Sequence, residues 1–170
     1  MFGRLILLLW ITALLSSCGG DWHLRGTRTD IVNLKAVTIN GAAAPVLRQA
    51  LLRELAFSNV RIVKRADSEA VLELGSEQFD RRVVSVDPDT GKVREIELTM
   101  EVGFAVRDRE GKLLAPYQNL SWLRDFVFDE TALLGTTEQE SVIRRELAED
   151  AAKTIVLRLE TIEPPESRSL

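Results

Sequence analysis

The sequence predicts an α+β fold, a two-layer sandwich in which a mixed or antiparallel sheet of about four strands is covered by two helices. Three observations predict it. Apolar residues alternate with polar ones over residues 96–106, which is typical of a strand with one buried face. Two other segments carry apolar residues at helical spacing. The 170 residues suffice for one such domain and are too few for two.

The first part of the domain is predicted to form a strand, a helix and a second strand. Residues 35–40 alternate and are rich in β-branched side chains, which favours a strand. Pro45 opens a helix with leucines every four residues, since proline is tolerated in a first turn. Ser58 ends this helix before a short strand at residues 60–63. Because a helix joins these two strands, they can pair in parallel.

Two hairpins are predicted next. A strand-like stretch at residues 71–86 ends in the turn sequence DPDTG at residues 87–91, in which proline and glycine favour a tight turn. The alternating strand ends in a second turn at residues 107–111. A last β region covers residues 112–128 and bends at Pro116. Strands joined by such short turns are expected to be antiparallel.

A second helix is predicted to cover the sheet. Thr137 and Glu140 fit a capping box that would begin it. Its apolar positions repeat every four residues over 143–159, and charged residues cover the other side. The single α+β domain is therefore expected to span residues 35–162, with a flexible tail at 163–170.

The first seventeen residues predict export. An unbroken apolar run at residues 5–15 is too short to span a membrane but has the length of the core of a secretory signal. It ends in Leu-Ser-Ser before Cys18, which resembles a bacterial lipobox. Cleavage would then remove residues 1–17, and Cys18 would carry diacylglycerol and an N-acyl chain as a membrane anchor. The alternative is an ordinary secretory signal with a chance cysteine at its end.

The residues after the cysteine predict the destination. Gly19 rather than an aspartate follows Cys18, and by resemblance to the sorting rule of enteric bacteria this favours the periplasmic side of the outer membrane. Residues 18–34 would then form a lipidated N-terminus and tether. The mature chain would keep 21 Lys+Arg and 26 Asp+Glu, a net charge of −5. Such an acidic chain has no general positive field for binding nucleic acid.

Few groups are available for catalysis or metal binding. One cysteine and one histidine exclude an intramolecular disulfide and a thiolate or multi-histidine metal site, and the chain has no phosphate loop and no nucleophile elbow. Carboxylates at 95, 97 and 101 could form acid–base pairs, but we expect them to be the solvated face of a strand. We therefore expect no enzyme, no catalytic residue, no metal and no cofactor besides the acyl groups on Cys18. The alternative is a periplasmic enzyme. Turnover that is lost when one polar residue is changed would support it.

A four-residue motif lies close behind the lipid-bearing cysteine: Trp22, His23, Leu24 and Arg25. This run resembles the N-terminus of the LPS-assembly lipoprotein LptE family, and the order of predicted elements agrees over essentially the whole mature chain. A chance amphipathic quartet in a linker is the alternative reading of the motif alone. The resemblance implies a lipoprotein that plugs the lumen of the large LPS-assembly β-barrel LptD, supports assembly of that barrel, binds lipopolysaccharide and helps deliver it to the cell surface. The alternative function is an auxiliary lipoprotein of an ABC-type lipid transporter in the envelope.

Four cations around the first predicted hairpin turn are candidates for the lipid A phosphates that the resemblance implies: Arg81, Arg82, Lys92 and Arg94. The first two are adjacent in a strand and point to opposite faces, whereas the last two are two residues apart and share a face. The alternative is that Asp87, Asp89 and Glu95 neutralise them and the turn is merely solvated.

Overall fold

A computed structural model of the chain describes residues 33–129, 131 and 133–162. The predicted signal sequence, Cys18, the motif at residues 22–25 and the predicted tail lie outside these residues. In chain order the elements are β1 (Ala36–Asn40), α1 (Pro45–Phe57), β2 (Arg61–Ile62), a single 3-10 turn (Arg65–Asp67), β3 (Ala70–Leu74), β4 (Gln78–Val86), β5 (Val93–Arg107), β6 (Leu113–Val127) and α2 (Leu133–Glu160).

The strands form one mixed six-stranded sheet. β1 pairs in parallel with β2 on one side and with β3 on the other. β5 is antiparallel to all of its neighbours. It pairs with β6 along one edge, and along its other edge it pairs first with β4 and then, near its end, with β3. The predicted fold class is thus confirmed, with six strands rather than about four, and so is the parallel pairing of the first two strands across a helix.

Both helices pack on one face of the sheet. The apolar row of β5, from Ile96 to Val106, is almost completely buried and belongs to one core cluster with the apolar faces of α1 and α2. Burial of each such side chain contributes about 1.5–3 kcal/mol, so this row and the helical faces opposite it provide much of the driving force for folding. The other face of β4, β5 and β6 carries no helix in the described part of the chain.

The predicted long strand before the first hairpin is broken into β3 and β4, and the break supports α1. Glu77 lies in the connection, and its carboxylate accepts hydrogen bonds from the backbone amides of Val46 (3.1 Å) and Leu47 (2.9 Å). The N-cap residue of α1, Ala44, makes no side-chain hydrogen bond, and the first turn holds no acidic residue. A carboxylate distant in sequence therefore does what an N-cap side chain does in other helices.

Two further details differ from the sequence prediction. Helix α2 begins at Leu133, so Thr137 lies inside the helix and the predicted capping-box start is wrong. The same Thr-x-x-Glu spacing also occurs within helices, so the local pattern does not fix the first residue. At Pro116 the pairing of β5 with β6 shifts register between Gln118 and Ala115. Proline lacks the amide hydrogen that a ladder needs, and an edge strand tolerates this loss.

Candidate functional site

The β4–β5 hairpin, which carries the four candidate cations, ends in a tightly bonded turn. The carboxylate of Asp87 accepts hydrogen bonds from the amides of Asp89 (3.0 Å) and Thr90 (2.9 Å). The amide of Gly91 donates to the Asp87 carbonyl at 2.8 Å. Gly91 has φ +68°, a left-handed conformation that costs glycine little. The predicted turn therefore forms with its first residue as the organising group.

Arg94 is bound to this turn. Its guanidinium donates to the second carboxylate oxygen of Asp87, with Nε at 2.9 Å, and forms an ion pair with it. Arg94 first, and then the backbone and hydroxyl of Thr90, hold the pKa of the Asp87 carboxyl far below its ordinary value. The turn thus keeps a permanent negative charge beside one of the candidate cations.

The two adjacent arginines lie on opposite faces of β4, as the strand geometry predicts. Arg81 faces α2, where its Nε lies 3.6 Å from the Glu140 carboxylate and its guanidinium lies over the Phe128 ring at 5.6 Å. Arg82 faces the open side and forms a 2.8 Å ion pair with Glu97 of β5. Lys92 is exposed just after the turn. The structure thus places the candidates on both faces of one hairpin and pairs Arg81, Arg82 and Arg94 with carboxylates.

Helix α2 contributes groups to this hairpin that sequence reasoning missed. Arg144 forms a 2.7 Å ion pair with Glu140 and stacks over the Phe79 ring of β4 at 4.6 Å. Glu140 therefore serves Arg81 and Arg144 together. The only signal in the sequence is the four-residue spacing of Glu140 and Arg144, which predicts a pair within the helix but not the strand beneath it.

The open face of the sheet contains a polar cleft of about 390 Å³. Its lining includes Gln78, Glu101, Tyr117 and Asn119. The Tyr117 ring lies across Gly103 so closely that a Cβ built at that position would lie 1.7 Å from the tyrosine hydroxyl. The outward-facing polar residues of β5 are interrupted at Gly103, because only a glycine leaves room for the ring to approach the backbone there.

No described helix is both long enough and apolar enough to cross a membrane. The described part of the chain also holds no group of three or more His, Cys, Asp or Glu side chains arranged to bind a metal ion.

Comparison with known proteins identifies the family. The model of the LptE lipopolysaccharide-assembly family matches residues 34–159, which is nearly all of the described domain. The chain belongs to the LptE family. It is 28% identical to the LPS-assembly lipoprotein LptE of Photorhabdus laumondii, over 97% of this chain and 90% of that protein. It is 27% identical to the protein of the same name from Pectobacterium atrosepticum, over 94% of this chain and 86% of that one.

Solved structures have the same fold as this LptE-family chain. The solution structure of an uncharacterised lipoprotein B from Nitrosomonas europaea superposes with a TM-score of 0.68 at 23% identity, over 83% of this chain and 91% of that chain. The crystal structure of the rare lipoprotein B from Shewanella oneidensis superposes with a TM-score of 0.58 at 30% identity, over 72% and 91% of the two chains. The resemblance to the LptE family, first drawn from the sequence, is confirmed, and these relatives are all named lipoproteins.

Proposed function

We propose that this chain is an outer-membrane lipoprotein that plugs a large LPS-translocation barrel of the LptD type and supports the assembly of that barrel. It binds lipopolysaccharide and helps deliver it to the cell surface, and it does so without catalysis. The observation that carries the proposal is the family match over residues 34–159. The matched segment coincides with the folded α+β domain, so the shared property belongs to the domain itself.

The open face of the sheet supports a role inside a barrel. One face is sealed by α1 and α2, whereas the other presents Glu97, Thr99 and Glu101 of β5 beside Asn119 and Ser121 of β6. The lumen of a large outer-membrane barrel is polar and hydrated. A domain whose open face carries this polar row can therefore contact such a lumen while its apolar core stays under the helices.

Depletion of the protein tests the proposal. We expect less lipopolysaccharide at the cell surface and a smaller amount of the large barrel, because the barrel would lose the support of its plug. The lipoprotein should also co-purify with that barrel. Co-purification with inner-membrane permease components instead, with normal amounts of barrel, would contradict the proposal and favour an auxiliary subunit of a lipid transporter.

For lipopolysaccharide we propose the hairpin cations Arg81, Arg82, Lys92 and Arg94 as the binding groups. Reversal of the charges at Lys92 and Arg94 to glutamate should weaken binding of lipopolysaccharide in a titration, since both positions lie beside the exposed turn. Reversal of Arg53 and Lys153 is the matched control, because both are exposed, helical and paired with carboxylates. Unchanged binding by a folded Lys92/Arg94 variant would exclude the turn from the site.

We also propose that acylation of Cys18 anchors the protein. Cys18→Ala should abolish acyl anchoring, and the protein should appear in soluble or unprocessed form. Recovery of this variant in outer-membrane fractions, still held by acyl chains, would contradict the lipobox assignment without affecting the fold.

A further inference from the structure

The end of the sheet opposite the β4–β5 turn gathers segments that are distant in sequence. The parallel strands β1, β2 and β3 begin at this end, and the antiparallel strand β5 ends there. The 3-10 turn meets the β5–β6 turn through Arg65, whose Nε donates to the carbonyl of Arg109 at 3.2 Å. The chain enters the described domain here too, since the Asn33 side chain donates to the Glu160 carbonyl at 3.4 Å.

This end carries a group of five cations with few carboxylate partners, which we call the basic end: Arg61, Lys64, Arg65, Arg109 and Lys112. All five are exposed, and the exposed carboxylates among them are Asp67 and Glu110. Arg109 and Glu110 are 4.0 Å apart, at the outer limit of an ion pair. Within the described residues, the other four cations have no carboxylate within 4.0 Å.

The hairpin cations make the contrast clear. Arg82 has a carboxylate at 2.8 Å, Arg81 has one at 3.6 Å, and Arg94 is held by the turn itself. An anion that binds there has to displace a partner, whereas an anion at the basic end does not. In a chain whose net charge is −4, the basic end is therefore a local surplus of available positive charge.

Exposed apolar side chains accompany these cations. Phe57 at the end of α1 is 75% exposed, Leu113 at the start of β6 is 46% exposed, and Ile62 of β2 is 39% exposed. Cationic side chains mixed with aromatic and aliphatic ones are typical of surfaces at a membrane interface, where the charges meet headgroups and the apolar groups enter the boundary.

We infer that the basic end binds the anionic phospholipid headgroups of a membrane surface. Charge complementarity selects lipids whose headgroups carry a net negative charge, and the exposed Phe57, Ile62 and Leu113 add apolar contact. The contact also orients the domain. Cys18 lies 15 residues before Asn33, and a tether of that length can reach up to about 50 Å, so an acyl anchor alone leaves the orientation open. Before the domain enters the barrel, the basic end lies on the membrane and the β4–β5 turn points away from it.

The test uses the chain from residue 18 onward with Cys18→Ala, so that no acyl group contributes. Its sedimentation is measured with vesicles of phosphatidylcholine alone and of phosphatidylcholine mixed with phosphatidylglycerol. We expect binding only to the anionic vesicles, and we expect added salt to weaken it. Equal binding to neutral vesicles would overturn the inference.

Two matched triple variants locate the binding surface. Arg61, Lys64 and Lys112 changed to glutamine should lower partitioning onto anionic vesicles at least ten-fold, since each cation near such a surface contributes roughly a factor of five. The control changes three cations of the β4–β5 hairpin to glutamine: Arg82, Lys92 and Arg94. It should bind the vesicles within about two-fold of the parent chain, because Arg82 and Arg94 are already paired with carboxylates. An equal loss in the control would overturn the inference.

Lipopolysaccharide micelles separate the two lipid sources. Loss of micelle binding in the hairpin variant, with normal binding by the basic-end variant, would support separate sites and leave both proposals intact. If the basic-end variant lost the micelles but kept the phospholipid vesicles, the phospholipid inference would fail. If the hairpin variant kept the micelles, the proposed lipopolysaccharide site would fail alone, and the vesicle result would stand.

Discussion

The contact between Glu77 and the start of α1 gives a quantitative prediction. Glu77→Ala removes two charge-assisted hydrogen bonds, to the amides of Val46 and Leu47 at 3.1 and 2.9 Å. Loss of a helix N-cap costs about 0.5–2 kcal/mol, and two partly buried amides left without an acceptor move the cost toward the upper end. We expect a loss of about 2 kcal/mol in the free energy of unfolding. Glu77→Gln keeps one acceptor oxygen but loses the charge beside the helix dipole, and we expect about half that loss.

Urea unfolding measures this loss. With an m value of about 2 kcal/mol/M, the midpoint of Glu77→Ala should fall by about 1 M. Hydrogen exchange should accelerate first at the amides of Val46 and Leu47, which a general loss of stability would not single out. Asp67→Ala is the control, since this carboxylate is exposed and lies in the 3-10 turn rather than at the start of α1, and it should change stability by less than about 0.5 kcal/mol. A midpoint for Glu77→Ala as high as that of the control would refute the reasoning.

Two further predictions concern the turns. Gly41→Ala should lower the free energy of unfolding by about 3 kcal/mol or more, because φ is +136° and the new Cβ would lie 2.6 Å from the Cβ of Leu74. Gly91→Ala, at φ +68° with open space around the new Cβ, should lower it by only about 1 kcal/mol. Equal losses for the two variants in thermal melts would contradict this prediction. Because the pKa of Asp87 is lowered, its stabilising contribution is complete above the ordinary value of 3.8 and is lost as the pH falls through the lower folded value. An NMR titration should place its midpoint below 3.8, and Arg94→Gln should move it back toward 3.8; an unmoved midpoint would exclude Arg94 as the main cause.

The sequence predicted well those parts of the fold that depend on periodicity. The alternating row of β5 and the four-residue repeat of α2 both face the core, since a buried stripe leaves a period in the chain. The turn at residues 87–91 was also predictable, because its conformation depends on the proline, glycine and aspartate within it.

Features that depend on contacts across the fold were not predictable in this way. Glu77 caps a helix that begins some thirty residues earlier, and no local pattern indicates that pairing. The carboxylates that neutralise Arg81 and Arg82 come from α2 and β5. The sequence-based alternative placed the neutralising groups at Asp87, Asp89 and Glu95 beside the turn, and Asp87 is indeed the partner of Arg94. Charge compensation depends on which strands and helices meet, which composition does not contain.

The two cationic regions are expected to differ in selectivity. At the β4–β5 hairpin a ligand has to replace carboxylates that already lie at hydrogen-bonding distance from Arg82 and Arg94. A ligand with several phosphates can compensate two such exchanges at once, whereas a lipid with one phosphate compensates only one. The basic end requires no such exchange, so we expect it to bind lipids that carry a single phosphate. We therefore expect the paired cations to select a multiply phosphorylated lipid and the unpaired cations to bind singly phosphorylated lipids before the domain enters the barrel.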